Sequence, residues 1–278
     1  MVSIVIPAHN EEKTIARSLK ALIEGNSREN LQIIVVCNGC RDQTAAAARQ
    51  VSERVTVIET EIPSKVNALN LGDEVARDYP RLYMDADVVM TPKDLDEIVN
   101  AFANPQVLAA SPRAQMDFTK SNWAVRAFYR VWLSLPYTRT GIMAAGVYAI
   151  SETGRKRFNR FPNIIADDGY IRVLFKSGER IMVPAARSIV SAPATLQDLI
   201  KIKSRSRLGG YQLAARFPEL HQSEKNNYGS AFWDILGAPS LWLSVPVYLY
   251  VNLISRRRAR EQLKKIDNYV WERDESSR

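Results

Sequence analysis

The chain has 278 residues and a net charge of +8, and 46% of its residues are hydrophobic and 24% charged. This length and composition suit one large α/β domain or two smaller ones with a packed core. The charge is local, because the stretch from 256 to 265 holds six basic residues and one acidic residue, which excludes a nucleic-acid-binding face spread over the whole protein.

The first part of the chain alternates between strand and helix patterns. Apolar runs rich in β-branched residues predict strands at 2–10, 31–39, 55–60 and 81–90. Helical patterns occupy the segments between them, at 11–25, 42–53 and 65–78. Such regular alternation predicts a doubly wound, mainly parallel sheet covered by helices. Ligands of such sheets bind outside the carboxyl ends of the strands.

Polar segments follow three of the predicted strands, at 7–10, 37–39 and 85–87. We expect them to line one crevice. Asp85 and Asp87, inside the run "LYMDADVVM", would point to the same face of an extended strand and could share a cation or a polar ligand. A strand-to-loop turn is the alternative, because aspartate is common in turns.

The two cysteines, Cys37 and Cys40, form the sequence "CNGC". They leave no further thiol for a disulfide framework, which indicates a reducing compartment. The spacing is also that of a thioredoxin-type redox pair. We expect no signal peptide, because "MVSIVIPAHN" lacks a basic segment before its apolar run.

Several motifs resemble the nucleotide-sugar-binding half of the inverting family 2 glycosyltransferases with a GT-A fold. They are "IVIPAHNEEKTI", "IIVVCNGCRDQTA", "KVNALNLG" and "YMDADVVM". Further along, "GIMAAGVYAI", "ADDGYIRVLF" and "RSRLGG" resemble the acceptor-side motifs of that family. The resemblance covers residues 2 to 210, in the order and at the intervals of the family.

The resemblance implies a nucleoside site at the ends of the first two strands. Pro7, Ala8 and Glu11 would lie near the nucleoside, and Asn38 would lie beside the base. Cys37 stands where the family commonly has an acid, which puts the usual base contact in doubt and leaves UDP, GDP and dTDP open.

The diphosphate site follows from the same resemblance. Lys65 would approach the diphosphate, Asp85 would lie on the ribose side, and Asp87 would hold a divalent cation, Mg²⁺ or Mn²⁺. Carboxylate oxygens suit such hard cations. Arg207 is our candidate for a second diphosphate contact, because a guanidinium pairs well with phosphate. A solvated basic face around Arg207 is the alternative.

The same resemblance implies that Asp168 would be the catalytic base. An inverting transfer needs a carboxylate to accept the proton of the attacking hydroxyl. The pattern "DDGYIRVLF" places Asp168 at the start of a predicted helix. The alternative is a helix cap, which is the usual role of aspartate there.

Two further segments bear on membranes. The run 121–136 has apolar residues at helical spacing, which predicts a helix packed on the domain core or, alternatively, a membrane-facing acceptor floor. Residues 235–254 carry no charge, and Pro246 near their middle favours a kink. A bent or re-entrant segment, or two interfacial helices, would keep the arginines after it on the cytoplasmic side. An arm that covers the domain or a dimer partner is the alternative.

These observations lead to one prediction of organisation and function. A GT-A domain spans 1–225, with a nucleotide-sugar half at 1–100 and an acceptor half at 101–225, and 226–278 form a helical membrane-associating segment. We expect an inverting glycosyltransferase at the cytoplasmic face of the cell membrane, with a lipid-linked or membrane-proximal acceptor and contact with anionic lipid. A homo-oligomer, a soluble acceptor and a catalytically silent sugar-nucleotide binder are the alternatives left open.

Overall fold

The computed structural model describes residues 1–26, 28, 30–135, 146–221 and 238–266. The chain divides into two compact units. The first comprises Met1–Gln115, Ile142–Asn163 and Phe175–Val190, and the second comprises Met116–Gly141, Ile164–Leu174 and Ser191–Arg278. The domain bounds predicted at 100 and 225 stay predictions.

Seven strands form one sheet in the order β3-β2-β1-β4-β6-β5-β7. Their bounds are Val2–Ala8 (β1), Leu31–Asn38 (β2), Val55–Thr60 (β3), Arg81–Met84 (β4), Ala109–Asp117 (β5), Val147–Ile150 (β6) and Arg180–Ser191 (β7). Strands β3, β2, β1 and β4 are parallel, whereas β6 is antiparallel to β4 and to β5. The predicted doubly wound, mainly parallel sheet is therefore confirmed.

The described residues form ten α-helices and one 3-10 helix. The α-helices are Ile15–Ile23 (α1), Thr44–Arg49 (α2), Lys65–Val75 (α3), Pro92–Ala101 (α4), Trp123–Ser134 (α5), Glu152–Arg155 (α6), Asp167–Leu174 (α7), Leu196–Arg216 (α8), Pro218–His221 (α9) and Val245–Leu263 (α10). The 3-10 helix, Pro239–Ser244, directly precedes α10. Several helices start at a side-chain cap. Ser64 accepts from the N–H of Asn67 at the start of α3, and Thr91 and Asp94 form a capping box at the start of α4.

The centre of the sheet is buried on both faces. Every residue of β1 is buried, which explains its continuous apolar run. On one face α3 approaches closely, because Gly72 has no side chain: a Cβ there would lie 2.3 Å from Cγ1 of Val5. Helix α3 therefore packs directly against β1.

The fourth strand is shorter than predicted. It ends at Met84, and the next four residues form a turn in which the N–H of Val88 donates to the C=O of Asp85 at 3.2 Å. The extended conformation considered for Asp85 and Asp87 is therefore wrong, and the turn alternative describes the backbone. The two carboxylates still flank a buried residue, Ala86.

The second unit packs helices α5, α8 and α10 around a small apolar core. Its buried members include Val125, Phe128 and Tyr129 of α5, Leu199 of α8 and Val251 of α10. The helix predicted at 121–136 thus packs on a core, as its apolar spacing indicated.

The hydrophobic tail has a different shape from the one expected. Pro246 lies in the first turn of α10 and does not kink a helix at its middle, because proline suits the first helical positions. Helix α10 then continues through the arginines to Leu263. Residues 235–237 of the predicted apolar segment lie outside the described residues. Within the described parts of the chain, no helix combines the length and apolar character needed to cross a membrane.

Candidate functional site

The carboxyl ends of β1, β2 and β4 lie side by side, since β1 pairs with both neighbours in parallel. Pro7 pairs with Val36 and Ala8 with Cys37. The side-chain amide of Asn38 donates to the C=O of Ala8 at 2.8 Å and so fastens the end of β2 to that of β1. The structure therefore brings Pro7, Ala8 and Asn38 together at one edge, which we call the carboxyl edge.

Glu11 lies in the connection from β1 to α1 and is buried. Its N–H donates to the hydroxyl of Thr44 at 2.7 Å, and its carboxylate accepts from the hydroxyl of Thr14 at 2.8 Å. A buried carboxylate is costly unless it accepts hydrogen bonds, so these contacts hold Glu11 in place behind the carboxyl edge.

Lys65 and Asp85 form an ion pair at this edge, with Nζ 2.7 Å from Oδ1. Lys65 is the first residue of α3, and Asp85 is the first residue after β4. The pair is partly exposed, with 28% and 38% of the two side chains accessible. A cation, a carboxylate and the positive end of a helix thus meet where a charged ligand can reach them.

Gly146 supports the turn that carries the two aspartates. Its C=O accepts from the N–H of Asp85 at 2.7 Å, and its φ is +66°. A Cβ at this position would lie 2.5 Å from Cγ2 of Val88 and 3.3 Å from Oδ2 of Asp85. Only glycine fits this backbone and this spacing without strain. Gly146 was quoted in an acceptor-side motif, but its contact with the Asp85 turn was not predicted.

Asp87 is partly exposed in the same turn, and its C=O accepts from the guanidinium of Arg17 at 3.5 Å. Among the described residues, no group of three or more His, Cys, Asp and Glu side chains is arranged to hold a metal ion. A divalent cation at Asp87 would bind through one or two carboxylates, with substrate phosphate and water as further ligands. Mg²⁺ commonly binds through one or two carboxylates in this way. The donor set at the Asp85 turn fits such a cation.

Asp168 is the second residue of α7 in the second unit, and it is partly exposed, whereas its neighbour Asp167 is buried. Its carboxylate accepts from the N–H of Gly169 at 2.7 Å. The residue that precedes the helix is Ala166, whose C=O accepts from the N–H of Tyr170. Asp168 therefore stands inside the first turn and not at the N-cap.

Helix α8 holds the start of α7. The side chain of Gln212 accepts from the N–H of Ile165 at 2.8 Å. Gly209 allows close approach, because a Cβ there would lie 2.9 Å from the Cβ of Ala166. Gly209 of "RSRLGG" thus has a packing role at the start of α7, whereas a Cβ at Gly210 would meet nothing within 4 Å.

The basic residues of the same motif lie in the middle of α8. Arg207 donates to the side-chain oxygen of Asn252 on α10. One turn earlier, the ammonium of Lys203 lies 4.3 Å from the ring centroid of Trp132 and 5.1 Å from that of Tyr129. Burial beside these rings removes the ammonium from water. This desolvation, together with the charge of Arg207, lowers the pKa of Lys203 to about 7. Lys203 was not predicted from the sequence, where its signal was an apolar face on α5 together with the basic segment at 201–207.

The predicted residues thus divide between the two units. The residues assigned to the nucleotide sugar, apart from Arg207, lie in the first unit. They are Pro7, Ala8, Glu11, Asn38, Lys65, Asp85 and Asp87. Asp168 and Arg207 belong to the second unit.

Comparison with known proteins agrees with this architecture. The family model described as glycosyl transferase family 2 matches residues 3–177. An uncharacterized glycosyltransferase of Haemophilus influenzae is 30% identical over 103 residues, which are 36% of this chain and 32% of that protein. The 4,4'-diaponeurosporenoate glycosyltransferase of Staphylococcus haemolyticus is 30% identical over 111 residues, 38% of this chain and 29% of that protein. The matched regions therefore span less than a third of these relatives.

Solved structures share the fold. A mannosyltransferase from Pyrobaculum calidifontis, in complex with GDP-Man and Mn²⁺, superposes with a TM-score of 0.70 at 21% identity, covering 96% of this chain and 88% of that one. Glucosyl-3-phosphoglycerate synthase from Mycobacterium tuberculosis, in complex with Mn²⁺, UDP and glucosyl-3-phosphoglycerate, gives 0.54 at 17% identity over 78% and 79%. With the family model covering more than half of its residues, this chain belongs to glycosyl transferase family 2.

Proposed function

We propose that this protein transfers one sugar from a nucleoside-diphosphate sugar to an acceptor hydroxyl, with inversion at the anomeric carbon. The observation that carries the proposal is the ion pair of Lys65 and Asp85 beside Asp87, at the carboxyl edge of a family 2 fold. Such an edge is where doubly wound sheets bind nucleotides.

The donor binds along the carboxyl edge. Pro7, Ala8 and Glu11 form the nucleoside side and Asn38 contacts the base, while Asp85 faces the ribose. Lys65, at the start of α3, draws the diphosphate toward the helix N-terminus, where backbone N–H groups favour negative charge. Arg207 is our candidate for a further guanidinium contact to the diphosphate.

Asp87 holds Mg²⁺ or Mn²⁺. The fit of the Asp85 turn to a hard cation supports this role, and two structural neighbours contain Mn²⁺ with a sugar nucleotide or nucleotide. When bound, the cation stabilises the negative charge that the diphosphate gains as it leaves.

Asp168 acts as the general base. The acceptor oxygen attacks the anomeric carbon from the face opposite the diphosphate, a new C–O bond forms, and the bond to the diphosphate breaks. The carboxylate of Asp168 takes the proton of the acceptor hydroxyl. Its partly exposed position in the first turn of α7 leaves it accessible to an acceptor, and such a base contributes about 10²- to 10⁴-fold in rate.

We further propose that the acceptor is lipid-linked or membrane-proximal and that the protein works at the cytoplasmic face of the cell membrane. The support is a surface that we call the tail patch, made of exposed apolar side chains. They are Trp242, Leu243, Leu249, Tyr250 and Leu253. One to two turns beyond Leu253 on the same face of α10 stand Arg256, Arg257 and Arg260. Apolar side chains followed by arginines suit an anionic bilayer interface.

A thermal-shift experiment with the full chain tests the donor proposal. UDP-, GDP- and dTDP-sugars are each added with Mn²⁺, with Mg²⁺ or with a chelator. A bound donor stabilises the fold by mass action, by about 2.7 kcal/mol when its concentration is 100 times Kd. We expect one nucleotide series to stabilise the protein, and only with the metal. Absence of any such stabilisation contradicts the proposal. Donor binding without sugar transfer to any lipid or soluble acceptor would favour a silent binder.

A further inference from the structure

The two cysteines meet at the carboxyl edge, where no role has been assigned to them. Cys37 is the second-last residue of β2 and is buried, whereas Cys40 is partly exposed, and both are free thiols. Gly39 between them has a φ of +58°, a conformation that turns the chain back on itself. The thiol of Cys40 donates to the C=O of Ala8 at 3.5 Å, and Ala8 is the residue that pairs with Cys37 across β1 and β2, so the two thiols are neighbours.

The surroundings give the two thiols unequal character. The hydrogen bond from Cys37 lowers the pKa of Cys40 to about 6, against an opposing effect of burial, and the N–H of Asn10 adds a contact at 3.4 Å to the Cys40 sulfur. The same hydrogen bond, together with burial, raises the pKa of Cys37. Cys40 is thus the more exposed and the more acidic of the two thiols, and it stands beside a buried thiol that keeps its proton. Reactive cysteines have this partly exposed, hydrogen-bonded environment, and redox pairs add a second thiol within reach.

We propose that Cys37 and Cys40 are a redox pair that a peroxide converts to a disulfide. The thiolate of Cys40 attacks one peroxide oxygen, the O–O bond breaks, and Cys40 becomes a sulfenic acid while the other oxygen leaves as hydroxide. The sulfur of Cys37 then attacks the Cys40 sulfur, its proton goes to the departing hydroxyl, and water is released. In total two thiols are oxidised by two electrons, and hydrogen peroxide is reduced to two waters.

The disulfide would alter the carboxyl edge. Asn38 lies between the two cysteines and fastens β2 to Ala8. In the disulfide, the Cys40 sulfur loses the negative charge that attracts the N–H of Asn10. We expect this loss to loosen the end of β1 and to weaken donor binding by about 2- to 10-fold, the range of one hydrogen bond. The effect on the donor rests on the proposed function; the disulfide itself does not.

Intact-mass analysis of the reduced full chain, treated with hydrogen peroxide, tests the chemistry. We expect the wild type to lose two hydrogen atoms and to regain them with dithiothreitol. In Cys37→Ser the exposed thiolate has no partner, so the protein should gain oxygen instead. Cys40→Ser should react far more slowly. Oxygen uptake by the wild type without loss of hydrogen, or equal reaction rates in wild type and Cys40→Ser, would overturn the redox pair.

Two measurements on oxidised and reduced protein test the coupling. Hydrogen exchange of the peptide that contains Asn10 should speed up on oxidation, and this result does not depend on a donor. Donor affinity should fall on oxidation in the wild type and stay unchanged on oxidation in Cys40→Ser. It is measured by calorimetry with whichever nucleotide sugar stabilises the protein in the thermal-shift experiment. Unchanged exchange around Asn10 would overturn the coupling. If oxidation speeds up exchange around Asn10 but the protein binds no sugar nucleotide, the proposed function is refuted and the redox pair stands.

Discussion

Gly146 accepts a hydrogen bond of 2.7 Å from the N–H of Asp85, and a side chain at Gly146 would collide with Val88. The residue before β6 therefore fixes the turn in which Asp85 and Asp87 lie. Two segments that are distant in sequence, the end of β4 and the residue before β6, therefore determine where these carboxylates stand. This arrangement makes the turn sensitive to a change that adds only one methyl group.

Replacement of Gly146 by alanine should destabilise the protein and weaken metal-dependent donor binding. A left-handed φ costs a residue with a Cβ about 1–2 kcal/mol, and the collision with Val88 adds about 1–3 kcal/mol. Gly25→Ala is the matched control, because Gly25 has a φ of +73° but no atom within 4 Å of a built Cβ. Urea unfolding should show the larger loss for Gly146→Ala. Equal losses in the two variants would mean that the Asp85 turn adapts to the added methyl group without loss of free energy of unfolding.

Asp87→Asn should abolish the metal-dependent part of donor binding while the fold survives. The amide is a weaker ligand for a hard cation than a carboxylate, and the side chain at the edge is too exposed to contribute much to stability. Calorimetry with and without Mn²⁺ measures the effect. Asp96→Asn is the control, since Asp96 is a partly exposed carboxylate paired with Arg28 on the surface. Unchanged metal-dependent affinity in folded Asp87→Asn would remove the metal assignment.

Asp168→Asn should separate chemistry from binding. We expect donor affinity to stay within a few-fold of the wild type and turnover to fall by roughly 10²- to 10⁴-fold, the range for a positioned general base. Single-turnover assays and donor titrations measure the two quantities. Near-normal turnover would transfer the role to Asp167, whereas an equal loss of binding and turnover would indicate a structural role for Asp168.

A buried ion network behind β4 was not predicted. Asp73 of α3 accepts from Tyr83 at 2.5 Å and from Nε of Arg155 at 2.7 Å, and it also pairs with Arg81. Burial alone would raise the pKa of Asp73, but the hydrogen bonds from Arg155, Tyr83 and Arg81 lower it below its ordinary value. A carboxylate whose pKa is lower in the folded state stabilises the fold above its unfolded pKa, and this contribution is lost as the pH falls through the folded pKa.

Asp73→Asn should therefore cost most at neutral pH and less in acid. Loss of one member of a buried pair costs about 3–5 kcal/mol. The free energy of unfolding, measured in urea from neutral pH to about pH 3, should fall less steeply in the variant than in the wild type. Glu152→Gln, which removes a fully exposed carboxylate paired with Lys156, should leave the curve almost unchanged. Parallel curves for wild type and Asp73→Asn would contradict the assignment of Asp73.

The sequence predicted the parallel half of the sheet well, because β1, β2 and β3 are apolar runs separated by turn residues and amphipathic helices. The prediction was wrong where one local pattern is compatible with two structures. The run after Met84 is apolar enough for a strand, but Gly146 and Ile189 supply hydrogen bonds that hold it as a turn and a bridge. Such partners come from distant segments, and no local pattern records them.

Charges at the site show the same limit. The alternation of elements placed Asp85 at a strand end, and the family resemblance placed Lys65 at the diphosphate; in the structure the two side chains pair at the carboxyl edge. Their pairing depends on the exact start of α3, which Ser64 sets by capping the helix. The Asp73 network could not be predicted, because its members are spread over α3, β4 and α6. The roles of Asp168 and Arg207 remain predictions, since local contacts alone do not distinguish a base or a phosphate ligand from a structural residue.

The final prediction concerns the tail patch and the arginines that follow it on α10. If this surface contacts an anionic bilayer, replacement of Arg256, Arg257 and Arg260 by glutamine should weaken binding to vesicles that contain phosphatidylserine by up to about 1 kcal/mol per charge. The remaining binding should lose most of its dependence on salt, because screening acts on the charges. Lys13, Lys93 and Arg113, exposed cations of the first unit, should be replaceable without effect.

The double variant Leu243→Ser, Leu253→Ser tests the apolar side chains of the tail patch. These side chains are 91% and 67% exposed, so their loss should hardly change the free energy of unfolding. Each leucine fully buried on binding contributes about 1.5–3 kcal/mol. Vesicle affinity should therefore fall while its salt dependence remains, the opposite of the arginine variant. Transfer to a lipid-linked acceptor should decline in both variants, and transfer to a water-soluble analogue should persist, because neither variant touches the carboxyl edge. A wild type that forms dimers in solution and ignores vesicles would assign the tail patch to a second copy of the chain instead.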